Sequence, residues 1–304
     1  MATAEALAES PLRGTITDGG LDHLLALTQA RLEQSVPRAN GGESVLIEAA
    51  RSALMGRGKR VRPIMTMLAC AHVGGRAEDA LDFGCAVEMV HAASLVLDDL
   101  PCMDDATLRR GAPTVHRAHG EDAAVLASIA LLNQAHRVIL QSADLDADCR
   151  LALIDALTHA VGFDGLTQGQ MRDLRDPAED RTEYGLRRLN HLKTAALFTA
   201  GLKGGGLIGK GAPQQIQALT LFGERIGFAF QLFDDLLDAT ATAEALGKDV
   251  AQDRGKITFV DLWGEGRVRS AIGQSLAWGR DALGENCALS DYVWGLFGDA
   301  GFAA

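Results

Sequence analysis

Residues 83–105 read FGCAVEMVHAASLVLDDLPCMDD, an apolar run that ends in two aspartate pairs, Asp98-Asp99 and Asp104-Asp105. The run from Phe83 to Leu97 has the length and composition of a core helix. Four carboxylates at its end oppose one another: two like charges ~4 Å apart repel by about 4 kcal/mol at an effective dielectric near 20. A hard divalent cation relieves that repulsion, and magnesium prefers carboxylate oxygens. Pro101 interrupts a regular helix, so the two halves are expected to converge by a bend rather than by helical phase. An isolated aspartate pair is commonly no more than a solvated helix end.

The cluster has a counterpart at residues 230–238, FQLFDDLLD, where Asp234 and Asp238 are four apart and share one helix face. Acids set in such apolar sequence are costly to bury unpaired. Two such motifs, far apart in the chain, predict two walls of one cavity bridged by metal and an anionic ligand. Basic residues flank them: Lys59 and Arg62 in GKRVRP, Arg109-Arg110 just after the first cluster, Lys193 before Thr194, and Lys248 and Lys256 after the second cluster. Arginine forks suit diphosphate oxygens and lysines act as point charges. His91 lies seven residues before Asp98, two turns back along the same helix. Taken singly, each of these reads as an ordinary surface cation, and His91 as a core histidine.

Around these motifs the sequence repeats apolar residues at intervals of three and four. Leu21, Leu24, Leu25, Leu27 and Leu32 open the pattern, and helices are expected over about 43–55, 60–73, 77–99, 121–142, 147–162, 182–203, 212–239, 265–283 and 288–299. No series of strand patterns occurs. Most of the 34 glycines are read as breaks, including Gly204-Gly205-Gly206. The expectation is a mobile arm over residues 1–18 and one all-α domain over 19–304. The chain of 304 residues is 47% hydrophobic, enough for a large core, and its formal net charge of -11 disfavours nucleic acid and anionic membrane as partners. Five cysteines without C-x-x-C spacing fit reduced thiols rather than disulfides or zinc. The N-terminus lacks a signal-peptide pattern and no long uncharged apolar run occurs, so a soluble cytoplasmic protein is expected.

The motifs GKRVRP, VHAASLVLDDLPCMDDATLRRGAPT, GLTQGQMRDL, LKTAALFTAG, FQLFDDLLD and LGKDVAQDRGKITFVDLWG follow one another in the order seen in the trans-isoprenyl diphosphate synthases, which this sequence resembles over nearly its whole length. The first aspartate motif looks most like that of bacterial carotenoid-pathway geranylgeranyl diphosphate synthases. The resemblance implies antiparallel helices around a deep cavity, a homodimer, and head-to-tail condensation of isopentenyl diphosphate with allylic diphosphates through an allylic cation. It implies three magnesium ions held by Asp98, Asp99 and Asp104 and by Asp234, Asp235 and Asp238. It further implies that Arg109, Lys193, Lys248 and Lys256 hold the allylic diphosphate, and that Lys59, Arg62, His91 and Arg110 hold isopentenyl diphosphate. Thr194 and Gln231 would present oxygens to the cation, with Gln170 and Asp173 supporting Lys193.

Ala93, next to the small Ser94, stands where bacterial farnesyl-type relatives carry a blocking aromatic, so Ala93 is expected to floor a tunnel long enough for twenty carbons. Periodicity does not itself aim Ala93 there, since five residues rotate it about 140° from Asp98. Two departures stand out: Ala251 replaces a usual glycine, and the chain ends Gly-Phe-Ala-Ala without a basic tail, so closure of the site by the C-terminus is not expected. The alternatives are a farnesyl diphosphate synthase, a terpene cyclase and a non-catalytic partner subunit. The aspartate-rich second motif and the second set of cations argue against a cyclase. The presence of both aspartate motifs argues against a non-catalytic subunit.

Overall fold

The computed structural model describes residues 18–37, 44–56, 58–240, 256–284 and 287–298. It is a helical bundle: α1 Asp18–Ser35, α2 Val45–Met55, α3 Val61–His72, α4 Leu81–Asp98, α5 Val115–His119, α6 Glu121–Gln141, α7 Ala147–Val161, α8 Leu166–Arg175, α9 Glu183–Asn190, α10 Ala196–Ile208, α11 Pro213–Thr240, α12 Phe259–Trp263, α13 Glu265–Leu283 and α14 Ala288–Gly298. The expected arm lies outside the described residues, except that Asp18 opens α1.

The centre is α4, buried on most of its circumference from Phe83 to Val96. A helix apolar all round has no solvent face to offer and must be enclosed. α6, α3, α10, α1 and α2 enclose it. By length and composition α4 with its preceding 3-10 turn (Ala77–Asp98) and α6 could each cross a membrane, but both pack into the bundle, and two-thirds of the most apolar window of the first is buried. The longest helix, α11, starts on Pro213, where a missing N–H costs nothing. It packs on α10 and α13. The five cysteines are unpaired.

Four features differ from the sequence-based expectation. First, Gly204, Gly205 and Gly206 lie buried inside α10 rather than at a break. They let α10 approach its neighbours closely: a Cβ on Gly205 would stand 2.2 Å from the Thr66 carbonyl of α3, and one on Gly204 would overlap the Phe83 ring. Second, the expected helix over 182–203 is α9, a π-helical turn His191–Ala195, and α10. Third, α8 forms in mostly polar sequence over which no helix is expected. Fourth, Leu108–Arg109 and Ala112–Pro113 form an antiparallel hairpin. Arg110 (φ 55°) and Gly111 (φ 79°) make its turn, with both central residues left-handed, the geometry that matches strand twist. Strands of two residues are too short to show alternation.

Gly205→Ala gains roughly 1 kcal/mol in helix propensity but forces a methyl into backbone. The variant is expected to lose about 1–3 kcal/mol of stability in urea unfolding, whereas a glycine that merely ended a helix would give a stabilised variant.

Candidate active site

The C-terminal turns of α4 and α11 face a cavity of about 400 Å³, and Asp98, Asp104, Asp234 and Asp238 all line it. The bend expected at Pro101 is present. The amides of Met103 and Asp105 donate to the Leu100 carbonyl, and the amide of Asp104 donates to the Asp98 carbonyl at 2.9 Å, folding the second aspartate pair back on the helix end. Burial pushes the Asp98 carboxyl up to about 6, with Lys193 opposing and Asp104 adding to the shift. Asp99, one residue on, turns about 100° away. It is 3% exposed, and the Arg109 guanidinium clamps its carboxylate, with Nε 2.9 Å from Oδ1 and 3.1 Å from Oδ2 and Nη2 also on Oδ1. Asp235 likewise leaves the wall to Asp234. It accepts from Gln231 Nε2 (2.9 Å) and the Phe259 amide (3.1 Å) and lines a side pocket of about 80 Å³.

Lys193 and Thr194 reach the cavity from the π turn, an irregularity found frequently at functional sites. Two glycines seat it: a Cβ on Gly169 of α8 would lie 2.6 Å from the Lys193 amide nitrogen, and one on Gly227 of α11 would lie 2.4 Å from Ala195 Cα. Lys193 Nζ is 2.7 Å from Asp173. Lys256 (3.2 Å) and Arg181 (3.0 Å) join the same carboxylate. Burial would raise Asp173, but these three cations hold it well below the usual carboxylate range. Thr194 donates its hydroxyl hydrogen to Gln231 Oε1 (2.8 Å), which leaves the threonine lone pairs for the cavity. Gln170 lines the same wall with a buried Oε1 that has no partner among the described residues, as an acceptor waiting for a donor would.

A second basic group lies beside the first. Arg62 Cζ sits 4.3 Å over the Phe198 ring, its Nε is buried without a partner, and burial pushes it down to about 10. His91 is held well below its ordinary value by burial and by Arg62, Arg110, Arg109 and Arg60, so it is neutral at pH 7. The Arg110 guanidinium packs where a Gly58 Cβ would be, 2.5 Å from Nη1. His91 and Arg109 line both the central cavity and a neighbouring one of about 470 Å³ that Arg110 also lines. Lys59 is exposed, Lys256 faces the side pocket, and Lys248 and Ala251 lie outside the described residues.

Below the charges the wall turns apolar, with Val90 and Leu97 of α4, Leu132 of α6 and Val161 of α7. Ser94 shares this wall, and its hydroxyl donates to the His91 carbonyl. Ala93, next to it on α4, is fully buried and lies about 140° around the helix from Asp98. Arg181 escaped the sequence reading, because its link to Asp173 exists only in the fold. An anionic head end and an apolar depth define a site for a ligand with a charged head and a hydrocarbon tail.

Comparison with known proteins agrees. Residues 43–262 match the polyprenyl synthetase family model. The geranylgeranyl diphosphate synthase of Pantoea ananas is 38% identical over 274 residues, covering 90% of this chain and 89% of the relative. That of Pseudescherichia vulneris is 40% identical, covering 83% and 78%. Solved structures align closely. An FPP/GFPP synthase from Zymomonas mobilis has a TM-score of 0.79 at 34% identity, with 90% and 95% covered. A geranyltransferase from Helicobacter pylori, in complex with magnesium and isoprenyl diphosphate, has 0.80 at 25% identity, with 97% and 99% covered. The chain belongs to the polyprenyl synthetase family and is a prenyltransferase of the all-α isoprenoid synthase fold.

Asp98 carries a pH-dependent cost. Its folded pKa of about 6 exceeds the unfolded value of 3.8, so the native state binds more protons between them and stability falls as pH rises through that window. In metal-free buffer at pH 7 Asp98→Asn is expected to be more stable than the wild type, by up to about 3 kcal/mol, and to unfold at higher temperature. The difference should close below about pH 4; a destabilised variant at pH 7 would contradict the burial argument.

Proposed function

We propose that this protein condenses isopentenyl diphosphate with allylic diphosphates, head to tail, and that its main product is geranylgeranyl diphosphate. The observation that carries the reading is the single cavity shared by Asp98, Asp104, Asp234, Asp238 and Lys193, with an apolar wall beneath. The relatives named geranylgeranyl diphosphate synthase support the product.

The donor set fits magnesium. The four wall-lining aspartates would hold it, with three ions as the expected number. Among the described residues, no three such side chains close into a cage by themselves. Magnesium commonly takes only one or two carboxylates and completes its shell with water and substrate phosphates, and the orphaned Gln170 Oε1 suits a bound water. When bound, the metal supplies Lewis-acid stabilisation of the departing diphosphate. Asp99 and Asp235 act behind this wall, the first orienting Arg109 and the second orienting Gln231.

Arg109 and Lys193 bind the allylic diphosphate, and Lys193 is pre-oriented by Asp173. Lys248 and Lys256 complete that set. Arg62, Arg110 and neutral His91, with Lys59 at the rim, bind isopentenyl diphosphate. The Thr194 oxygen faces the allylic cation with its hydrogen committed to Gln231. The apolar wall keeps water from the cation. The proton lost from the adduct passes to the departed diphosphate. The enzyme works in the cytoplasm as a homodimer, a second copy covering the α6 face that exposes Leu126 (55%), Ile129 (50%) and Leu140 (56%).

Purified protein is to be incubated with isopentenyl diphosphate, each allylic primer and magnesium, with and without EDTA. A twenty-carbon product that EDTA abolishes is expected; a fifteen-carbon end product would promote the farnesyl alternative. Ser94→Tyr, on the wall, should fold and shorten the product. Ala93→Tyr should instead cost about 1–3 kcal/mol by overpacking without shortening it. A Ser94→Tyr enzyme that still makes the full-length chain would remove Ser94 from the wall that sets length.

A further inference from the structure

Glu88 is a carboxylate on the wrong side of the molecule for metal and at the centre of the basic group. It lies one turn before His91 on α4 and is 3% exposed. Its Oε1 is 2.9 Å from Nη1 of Arg60, itself 6% exposed. Arg60 Nη2 donates to the Gly56 carbonyl at the end of α2 (3.0 Å). The Arg60 backbone is left-handed, φ 50°, a conformation rare for a residue with a Cβ, and its own carbonyl accepts from Ile64 in the first turn of α3. Residues held in such conformations persist only where their surroundings fix them. Arg60 is thus tied to the end of α2 and to α4, and residues 58–62 have their fixed point there. Gly58, two residues earlier, carries the contact with the Arg110 guanidinium, and Arg62, two residues later, points into the central cavity. Glu88, Arg60, His91 and Arg110 line one cavity, and the field of Glu88 also reaches both Arg62 and Arg110.

We propose that the buried Glu88–Arg60 pair is the positioning device of the isopentenyl diphosphate subsite: it pins residues 58–62 so that Arg62 and Arg110 are held at the spacing one diphosphate requires. This rests on the assignment of Arg62, His91 and Arg110 to that substrate. Glu88 touches no substrate and is a positioning residue. Its sign makes the idea testable. Were Glu88 only a charge, removing it would leave the subsite more positive and tighten the anion. Were it only a structural pair, removing it would lower stability and leave substrate affinity alone. As a positioning device, its loss weakens isopentenyl diphosphate binding in spite of the extra positive charge.

The test is Glu88→Gln in the full-length enzyme, with KM measured for both substrates, together with kcat and the melting temperature. The expected result is a KM for isopentenyl diphosphate raised tenfold or more, with the allylic KM changed less than twofold. A lowered or unchanged isopentenyl diphosphate KM overturns the proposal, and so does an equal rise for both substrates. The double variant Arg60→Met with Glu88→Leu keeps the test open should the single variant not fold, because buried ion pairs are often replaceable by apolar residues of similar volume. It too should show the raised KM, and a wild-type KM in it overturns the proposal. Arg62→Ala is the control on the assignment. If it leaves the isopentenyl diphosphate KM unchanged, the subsite itself is misassigned; if it raises that KM while Glu88→Gln does not, the positioning role alone fails.

Discussion

Repulsion among carboxylates at the head of an apolar cavity is the constraint around which the rest of this molecule is arranged. Asp98 is buried deeply enough to sit near pH 6, and the fold brings Asp104 back beside it rather than away. Nothing in the packing of α4 alone would favour that arrangement. It holds because Lys193 stands opposite, and Lys193 stands there because a π turn offsets its helix and Asp173 anchors its ammonium. The turn in turn needs two glycines, Gly169 and Gly227, whose missing side chains let α8 and α11 close on it. Stability is thereby given up locally to keep a cation-hungry site, a trade common at catalytic centres.

The same bundle separates two kinds of anion recognition. On one side stand the carboxylates proposed to hold metal, and the cations there are restrained by other acids: Arg109 by Asp99, and Lys193, Lys256 and Arg181 by Asp173. Arg62, on the same central cavity, and Arg110 belong to a second, basic group where Glu88 is committed to Arg60, and burial together with crowding by arginines keeps His91 neutral. Arg109 and His91 stand on the wall common to both. Under the proposed function, a diphosphate that ionises and one that stays intact would meet different chemistry, in a reaction whose two substrates have similar heads.

Much of this was readable from residue order. Apolar runs ending in aspartates marked α4 and α11, and Pro101 announced the bend that joins Asp98 to Asp104. What escaped the sequence was mainly what depends on a second element. Gly204–Gly206 look like a break unless Thr66 and Phe83 are known to press against α10. That Asp99 is clamped by Arg109, and Asp235 by Gln231 and the Phe259 amide, could be known only once those elements were placed. The hairpin at Arg110-Gly111 was invisible because two-residue strands carry no period.

The central claim is that the carboxylates of α4 and α11 and the cations facing them hold one diphosphate jointly with metal. Calorimetric titration with a non-ionisable allylic thiolodiphosphate, in magnesium and then in EDTA, tests it most directly. The account predicts saturable binding that weakens at least a hundredfold, about 2.7 kcal/mol, when magnesium is removed. Equal affinity in both buffers would contradict it.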